Sequence, residues 1–400
     1  MKNILLISKD VLRRDYLSCY GSKVCHTPNI DRLAEEGTIF TSCCTPAPST
    51  SMAITCMFSG LYAHELLDRK DYTEVEPFTQ APTLFSLLEG GGYETHVVWT
   101  QRLFNLAWRY SKVFPPNTQV HNLEGTGTVI PHDGNLPDER DGTDVERFEG
   151  EIRTILNNSS KPVFIWVHLP HVLSPRGCFG SDMDLLDRLV GDMVSPFAGN
   201  IYLTADHGNM GCEKGALDYG FHVYEGAVRV PLITPRVMGR DVIEEPVSLV
   251  QLKSIILERV VRPPKYVYSD SQYYQQPNRK LAIRKGDFKY IYNKIDKSEE
   301  LYDLSVDPGE NANLLVKDWY DPDRKRTVPL DQLYYYKRWD EAETAYGELR
   351  GEKDRIWRTE SRLEALVAKA KVVVARDIRR VAASRKTTGR WESAPKAMEG

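Results

Sequence analysis

Short apolar runs alternate with segments of helical pattern through the first two thirds of the chain. Continuous apolar runs of this kind predict buried strands. The predicted strands cover residues 3–8, 94–99, 163–169, 201–205 and 230–234. Helices are predicted over residues 27–37, 51–58 and 83–88. The first of these has Pro28 near its start and Gly37 at its end, the usual positions of the two residue types. The alternation predicts an α/β fold with a mostly parallel sheet covered by helices.

The pattern changes in the last third of the chain. Three short strands at residues 266–269, 280–284 and 288–292, with a turn at Gly286-Asp287, predict a small antiparallel sheet. Apolar residues then recur at helical spacing over residues 352–384, which predicts one amphipathic helix. We expect this helix to pack on the body of the protein or on a second copy. Its arginines leave a membrane-surface or nucleic-acid helix as the alternative.

These changes predict three regions. Residues 1–262 form a catalytic α/β domain, residues 263–320 a small-sheet subdomain, and residues 321–400 a charged helical extension whose end, from residue 386, is disordered. Residues 112–150 are rich in Asn, Gly, Pro and Asp, which predicts a long surface loop.

Composition narrows the function classes. The chain has 400 residues, 41% of them hydrophobic, and a net charge of −4, which gives no argument for nucleic acid or an anionic membrane as partner. Met1-Lys2-Asn3 runs directly into a strand, so no signal peptide is expected, and no apolar run approaches the ~18 residues of a membrane span. Seven cysteines without CxxC spacing predict reduced thiols and no zinc ribbon. A cytoplasmic location is therefore expected.

Polar residues follow three of the apolar runs. Asp206 and His207 come directly after one predicted strand, Asp10 follows another, and the hydroxyl cluster Ser49-Thr50-Ser51 follows a further apolar stretch. Open α/β sheets place their sites at the carboxyl ends of the strands. We therefore expect these three pieces to meet at one sheet edge and hold a divalent metal ion.

Five motifs carry a resemblance to a known family. They are Asp10–Gly21, Thr27–Ala34, Gly60–Glu65, Tyr224–Leu232 and Glu300–Leu314. In this order, from about residue 3 to residue 315, the chain closely resembles the sulfatase family within the alkaline phosphatase superfamily. The resemblance implies a doubly wound, mostly parallel sheet of the alkaline phosphatase type with a small C-terminal antiparallel sheet. It also implies reaction at a sulfate or phosphate ester.

The resemblance further implies a set of site residues. Family metal ligands map onto Asp10, Asp206 and His207, and the nucleophile position maps onto Thr50. Sulfatases carry Cys or Ser there, later oxidised to formylglycine, with an Arg four residues on; this chain has Thr50 and Ile54. Threonine cannot give formylglycine, and Cys44 stands six residues early. A Thr nucleophile resembles the phosphodiesterase, phosphonate-hydrolase and phosphotransferase branches.

The chemical types of the expected ligands indicate which metal ion they favour. Two carboxylates, an alkoxide and an imidazole favour Mn²⁺ or Zn²⁺ over Ca²⁺ or Mg²⁺. True sulfatases have adjacent aspartates at the first strand end, whereas Asp10 has Lys9 and Val11 as neighbours, so one metal contact is missing. A second metal ion, with His171 and His222 as ligands, stays open.

Other residues complete the expected site. By resemblance, His171 contacts the transferred group, and His222 protonates the leaving oxygen or binds the anion. Lys214, Thr100 and His64 are candidate substrate-binding residues, with Asn209 and Arg13 weaker candidates. For each histidine the alternative is a structural polar residue with satisfied hydrogen bonds, the role expected of His168.

The sequence therefore predicts a metal-dependent hydrolase or transferase of phosphate or phosphonate esters. The favoured substrate is a soluble phosphodiester or phosphonate monoester, and the reaction passes through a phospho-threonine at Thr50. Two alternatives stay open: a sulfuric ester hydrolase without formylglycine, and a non-catalytic member that binds a ligand or partner. A homo-oligomer assembled through the C-terminal helix is also expected.

Overall fold

The computed structural model describes nine stretches of the chain: residues 1–66, 82–100, 113–123, 143–170, 179–271, 279–315, 318–321, 326–329 and 336–362. The chain divides into two compact units, residues 1–349 and residues 350–400. The first unit contains both sheets, so the predicted boundary near residue 263 separates two parts of one unit and stays a prediction.

A large sheet forms the centre of the first unit. Its strands are β1 (Asn3–Lys9), β2 (Gly37–Phe40), β4 (Glu94–Thr100), β5 (Gln119–Leu123), β6 (Val163–Leu169), β7 (Gly199–Ala205), β10 (Leu232–Pro235) and β11 (Val242–Ile243). The strand order is β11-β2-β10-β7-β1-β6-β4-β5. The strands from β7 to β5 are parallel, and β10 runs antiparallel to both of its neighbours. The predicted mostly parallel sheet is confirmed.

The central strands are buried on both faces. Every residue of β6 is buried, and β1 is buried from Ile4 onward, as expected for strands covered by helices on both sides. Aromatic rings fill one part of this core: the centroids of Phe58 and Trp166 lie 4.8 Å apart in an edge-to-face arrangement.

Seven α-helices are described between residues 28 and 258. They are α1 (Pro28–Glu36), α2 (Thr50–Ser59), α3 (Leu84–Gly90), α4 (Thr143–Asn158), α5 (Phe179–Val194), α6 (Glu225–Val228) and α7 (Leu252–Glu258). Residues 52–59 of α2 are all buried. This helix ends at Gly60, whose φ of 71° is the left-handed conformation that glycine adopts most easily. None of the described helices is long and apolar enough to cross a membrane.

A small antiparallel sheet follows, as the sequence predicts, but it has four strands where the sequence predicts three. It consists of β13 (Val267–Asp270), β14 (Lys280–Lys285), β15 (Phe288–Asn293) and β16 (Glu299–Asp303) in that spatial order. Four further short pairs of residues, β3 (Cys43–Cys44), β8 (Met210–Gly211), β9 (Leu217–Asp218) and β12 (Val247–Ser248), and a hairpin of β17 (Asp318–Asp321) and β18 (Arg326–Pro329), complete the described strands.

A buried ionic cluster joins the small sheet to α6. The Nζ atom of Lys289, on β15, lies 2.8 Å from Oε1 of both Glu225 and Glu310. Burial raises the pKa of Glu310, whereas Lys289 and the nearby Arg284 hold the pKa of Glu225 at about 2 against the effect of its own burial. The small sheet is thus attached by charge as well as by apolar contact.

A second polar cluster lies between β4 and α4. Nδ1 of His121 lies 2.6 Å from Oε1 of Glu151, and Nε2 of His121 lies 3.0 Å from Nδ1 of His96. Burial, and then the neighbouring His121, lowers the pKa of His96 to about 4.

One prediction from the sequence is wrong, and another falls partly outside the described residues. Residues 112–150 are not one long loop, because β5 and the start of α4 fall inside them. Residues 339–349 and 350–362 are helical, while the rest of the predicted helix over 352–384, and the predicted disordered end, lie outside the described residues. Six of the seven cysteines are described, and no disulfide bond joins any of these six.

Candidate metal centre

The ends of two neighbouring strands bring the predicted ligands together. In the parallel pair of β1 and β7, Lys9 lies opposite Ala205. Asp10 and Asp206-His207 follow these positions, so they leave the sheet at the same edge. Thr50, the first residue of α2, reaches this edge from the other side. The sequence prediction that three distant pieces meet at one edge matches this arrangement.

Four side chains of this edge approach one another closely. Oγ1 of Thr50 lies 3.1 Å from Nε2 of His207 and 3.4 Å from Oδ1 of Asp10. Nε2 of His207 lies 3.7 Å from Oδ1 of Asp10 and 3.5 Å from Oδ2 of Asp206. Two ligands that are each ~2.1 Å from a tetrahedrally coordinated ion are about 3.4 Å apart. The observed separations therefore suit a shared cation.

The hydrogen bonding of His207 selects the ring nitrogen that faces the cluster. Nδ1 of His207 lies 2.9 Å from the carbonyl oxygen of Gly208, which can only accept, so Nδ1 carries the proton. In the neutral ring Nε2 then presents its lone pair to Asp10, Asp206 and Thr50. A metal-binding histidine is usually oriented in this way by a backbone carbonyl or a carboxylate.

The surroundings of Asp206 also indicate a cation site. The side chain of Asp206 is fully buried, and Oδ2 has no hydrogen-bond partner among the residues that the structure describes. An unpaired carboxylate oxygen in the interior is costly unless a cation neutralises it. Together with Asp10 and His207 it forms a group of ligand atoms that lie within 4.8 Å of one another. These residues fit a divalent metal ion.

The other oxygen of Asp206 is held by the backbone. Oδ1 accepts from the amide of His207, at 2.7 Å, and from the amide of Val11, at 3.2 Å. Val11 has a φ of 60°, a conformation that costs a β-branched residue about 1–3 kcal/mol. This strained turn directs an amide of the Asp10 loop at the carboxylate of the neighbouring strand.

Close backbone approach fixes the loop after His207. The amides of Gly208 and Asn209 donate to the carbonyl oxygens of Ala227 and Gly226, both at 2.9 Å. A Cβ atom on Gly208 would lie 2.1 Å from the carbonyl oxygen of Gly226. Only glycine allows this contact, which ties the ligand loop to α6.

The position of Thr50 at the start of α2 adds electrostatic support. Thr50 is the first helical residue, after Ser49, and no side chain caps this end. The exposed amides and the dipole of a helix N-terminus stabilise negative charge. An alkoxide or a phosphoryl group at Thr50 would therefore be favoured at this place.

Two residues near the ligands were not selected from the sequence. His168, given a structural role there, is fully buried, and its Nε2 atom has no hydrogen-bond partner and lies 3.9 Å from Oδ2 of Asp206. Burial lowers its pKa to about 4, so the ring is neutral. The ring of Tyr219 lies 4.6 Å from that of His207. In the sequence, neither residue can be told apart from an ordinary strand or loop residue.

Lys9 precedes Asp10 at the end of β1. Its side chain is buried, and Nζ donates to the carbonyl oxygen of Asp10 at 2.8 Å. Burial lowers the pKa of this ammonium group, and the carboxylates of Asp10 and Asp206 oppose the shift. The chain thus places a cationic group beside the cluster instead of a further ligand.

The remaining candidates occupy other surroundings. Nζ of Lys280 lies 3.0 Å from Nδ1 of His222, whose ring stacks on Tyr224 at 5.8 Å. Lys214 donates to the carbonyl oxygen of Glu310 and lies over the rings of Tyr224 and Tyr302, at 4.7 and 5.0 Å. These contacts turn the ammonium group of Lys214 toward the small sheet and not toward Thr50.

His64, Arg13 and Asn209 also contact neighbouring elements. The ring of His64 stacks on Tyr62 and packs against Tyr268 on β13. Arg13 pairs with Asp15, as expected, and also with Glu213. His171 and the side chain of Thr100 lie outside the described residues.

The family model named Sulfatase matches residues 2–173 of the chain. An N-acetylgalactosamine-6-O-sulfatase of Bacteroides thetaiotaomicron is 23% identical over an alignment that covers 78% of this chain and 89% of the relative. Arylsulfatase A of Bos taurus is 25% identical, with 78% and 83% covered.

Solved structures share the fold at low identity. The phosphonate monoester hydrolase of Agrobacterium radiobacter has a TM-score of 0.63 and 16% identity, with 88% of this chain and 96% of that chain covered. A putative sulfatase from Bacteroides thetaiotaomicron has a TM-score of 0.65 and 16% identity, with 90% and 94% covered.

Proposed function

We propose that this chain, which belongs to the sulfatase family of the alkaline phosphatase superfamily, is a metal-dependent hydrolase or transferase of phosphate or phosphonate esters with Thr50 as its nucleophile. The favoured substrate is a soluble phosphodiester or phosphonate monoester. The observation that carries the proposal is the place of the Thr50 hydroxyl among Asp10, Asp206 and His207, within 3.4 Å of two of the three.

Asp10, Asp206, His207 and Thr50 would hold the metal ion. When bound, the cation supplies positive charge that favours the alkoxide of Thr50 and offsets charge on the phosphoryl oxygens. The donor set of carboxylates, imidazole and alkoxide favours Mn²⁺ or Zn²⁺. The buried, unpaired Oδ2 of Asp206 supports a cation at this place independently of the family.

The residues of the chain position each reacting atom. The Thr50 hydroxyl donates toward Oδ1 of Asp10, so this carboxylate is the first acceptor for its proton. The oxygen Oγ1 then attacks phosphorus, a bond from Oγ1 to phosphorus forms, and the bond to the leaving oxygen breaks. The α2 N-terminus stabilises the charge that develops on the phosphoryl group. Water, or an acceptor alcohol, releases the group from Thr50.

His222 and His171 are our proposed groups for the leaving oxygen and the transferred group. His222 is better defined, because Nδ1 accepts from the ammonium group of Lys280 and the neutral ring then carries its proton on Nε2. A protonated nitrogen is what a leaving oxygen requires.

Acid quenching during turnover tests the nucleophile directly. Full-length protein loaded with Mn²⁺ or Zn²⁺ is mixed with bis-p-nitrophenyl phosphate, quenched, digested and analysed by mass spectrometry. Displacement of one p-nitrophenolate leaves the second p-nitrophenyl group on phosphorus. We therefore expect a p-nitrophenyl phosphoryl adduct at position 50 in the wild type and in Thr50→Ser, and none in Thr50→Ala. Thr55→Ala is the matched control, because Thr55 lies on the same helix and its hydroxyl donates to the backbone carbonyl oxygen of Ser51. Turnover at the wild-type rate in Thr50→Ala would overturn the proposal.

A sulfuric ester hydrolase without formylglycine is the second candidate. It is supported by the two curated relatives, which are named sulfatases. Turnover of p-nitrophenyl sulfate above that of the phosphate esters, with a sulfuryl adduct on Thr50, would favour it. Sulfate turnover that survives Thr50→Ala would favour a different nucleophile altogether.

A further inference from the structure

A cavity of about 210 Å³ is lined by residues 13–15, by residues 210, 213 and 214, by residues 224–226 and 229 in and around α6, and by residues 308–310, which follow the small sheet. Four cationic side chains line it: Arg13, Arg14, Lys214 and Arg229. Since a water molecule occupies about 30 Å³ in the liquid, a small ion with several waters has room here. None of these four side chains belongs to the cluster of Asp10, Thr50, Asp206 and His207.

Two of the four cations already have partners. Arg13 donates to both carboxylate oxygens of Asp15, at 2.9 and 2.7 Å, and also pairs with Glu213. Lys214 contacts a backbone carbonyl and two aromatic rings. Four carboxylates also line the cavity. Arg13 engages two of them, Asp15 and Glu213, and Lys289 pairs with the other two, Glu225 and Glu310.

Within the described residues, neither Arg14 nor Arg229 has a carboxylate partner of its own. Arg14 and Arg229 both donate to one acceptor, the carbonyl oxygen of Thr41, Arg229 at 2.9 Å. Within the described part of the chain, Arg14 has no carboxylate at salt-bridge distance; its other contact is the ring of Tyr20. Arg229 reaches Oε2 of Glu225 at 3.5 Å, and its Nε atom is buried without a hydrogen-bond partner.

The carboxylates behind them are shared with other cations. Glu225 also faces Lys289, at 2.8 Å, and Arg284, at 3.7 Å. Burial, followed by the proximity of Arg229, lowers the pKa of the Arg14 guanidinium, and the carboxylates of Glu225 and Asp15 oppose this shift only in part. One carbonyl dipole and a shared carboxylate do not neutralise two arginines.

We propose that Arg14 and Arg229 form a binding site for a tetrahedral oxyanion, phosphate or sulfate, separate from the metal centre. Guanidinium groups match the oxygens of such ions in charge and in geometry, and two of them on one wall of a cavity offer several donors at once. An anion there neutralises the surplus charge and provides an acceptor for the unpaired Nε of Arg229. This site does not depend on the reaction at Thr50.

Isothermal titration with inorganic phosphate tests the site. Full-length, metal-loaded protein is compared with Arg14→Gln, which removes one guanidinium group, and with Arg240→Gln, an exposed arginine that pairs with Glu245 and gives the same change of net charge. We expect one class of phosphate site to disappear, or to weaken at least tenfold, in Arg14→Gln only. Identical stoichiometry and affinity in all three proteins would overturn the proposal. A parallel sulfate titration decides which oxyanion binds more tightly.

Chemical protection tests the wild-type protein without any variant. Phenylglyoxal modifies accessible arginines, and peptide mass spectrometry follows each of them. We expect phosphate to slow modification of Arg14 at least threefold but not that of Arg32, an exposed arginine of α1. Equal rates at Arg14 with and without phosphate would contradict the site. Because neither readout involves turnover or Thr50, both separate this proposal from the proposed function.

Discussion

The Thr50 hydroxyl oxygen lies 3.1 Å from Nε2 of His207, although 157 positions separate the two residues. The proton of His207 is held on Nδ1 by the carbonyl oxygen of Gly208. Its Nε2 lone pair and the Thr50 oxygen therefore face a common point, with two carboxylates around it. Shared coordination of one cation is the simplest explanation of this arrangement.

Replacement of Thr50 should abolish turnover. For Thr50→Ala we expect kcat to fall by at least about 10³-fold, the order found when a nucleophile is removed from a group that acts as a unit. Thr50→Ser retains the hydroxyl and should keep measurable activity. Steady-state rates with bis-p-nitrophenyl phosphate provide the measurement, and Thr55→Ala should stay within about threefold of wild type. A Thr50→Ala enzyme as active as Thr55→Ala would exclude this nucleophile.

Metal binding should depend on the charge of Asp206. In Asp206→Asn we expect the Kd for Mn²⁺ or Zn²⁺ to rise by more than about 100-fold, the upper value for loss of an outer partner of a metal site. Competition with a fluorescent chelator measures this Kd. Asp241→Asn is the control, because Asp241 is an exposed partner of Arg236. Chelation by EDTA should remove activity, and added metal should restore it. Full activity in exhaustively chelated protein would rule out a metal requirement.

The buried ammonium of Lys289 should matter more for stability than its exposed counterpart. Lys289→Met leaves Glu225 and Glu310 buried without this shared cation, so we expect the free energy of unfolding to fall by about 3–5 kcal/mol. Lys285→Met removes an exposed pair with Glu348 and should cost less than about 1 kcal/mol. Urea unfolding compares the two variants.

A double variant separates the charge from the packing of Lys289. Adding Glu310→Gln to Lys289→Met removes a carboxylate that has lost its partner and should restore part of the stability. If Lys289→Met were as mild as Lys285→Met, the ionic cluster would not contribute as described.

Acid should destabilise the fold through His96. Its pKa in the folded protein is about 4, against about 6.5 for a solvated imidazole. The unfolded chain therefore binds more protons between these values, and the free energy of unfolding falls as the pH falls from about 6.5 towards 4, by roughly 2 kcal/mol after allowance for screening. In His96→Gln the loss between pH 7 and pH 4.5 should shrink by that amount. Exposed His26→Gln should leave it unchanged; an equal loss in all three proteins would refute the assignment.

The sequence predicted the centre of the fold well, because its strands are buried on both faces. Continuous apolar runs such as Val163–Leu169 have few other interpretations, and this strand was predicted to the residue. The edge strand β5 (Gln119–Leu123) is half-exposed and mixed in composition, so its sequence predicts a loop. The start of α4 was missed as well, although Phe148, Ile152 and Ile155 are buried at helical spacing. Turn-forming residues before them concealed that spacing.

The candidate site was predictable to the extent that its residues end strands or match a family motif. Asp10, Asp206 and His207 satisfy the first condition, and Thr50 the second. His168 lies within a buried strand, where its pattern is that of any core residue, and its relation to Asp206 depends on how β6 and β7 flank β1. The contacts of Lys214 and His222 depend on where the small sheet docks, which no local pattern specifies.

The hydrogen bonds that tie the loop of Gly208 and Asn209 to α6 have a thermodynamic consequence. Helix α6 also carries Glu225, which pairs with Lys289 on β15. The loop of the metal ligands and the small sheet are therefore connected through α6. Any cation that binds the folded loop more tightly than the unfolded one must stabilise the sheet by the same linkage. Amide hydrogens of β14 and β15, which touch no ligand atom, should then exchange more slowly with deuterium when the metal is bound.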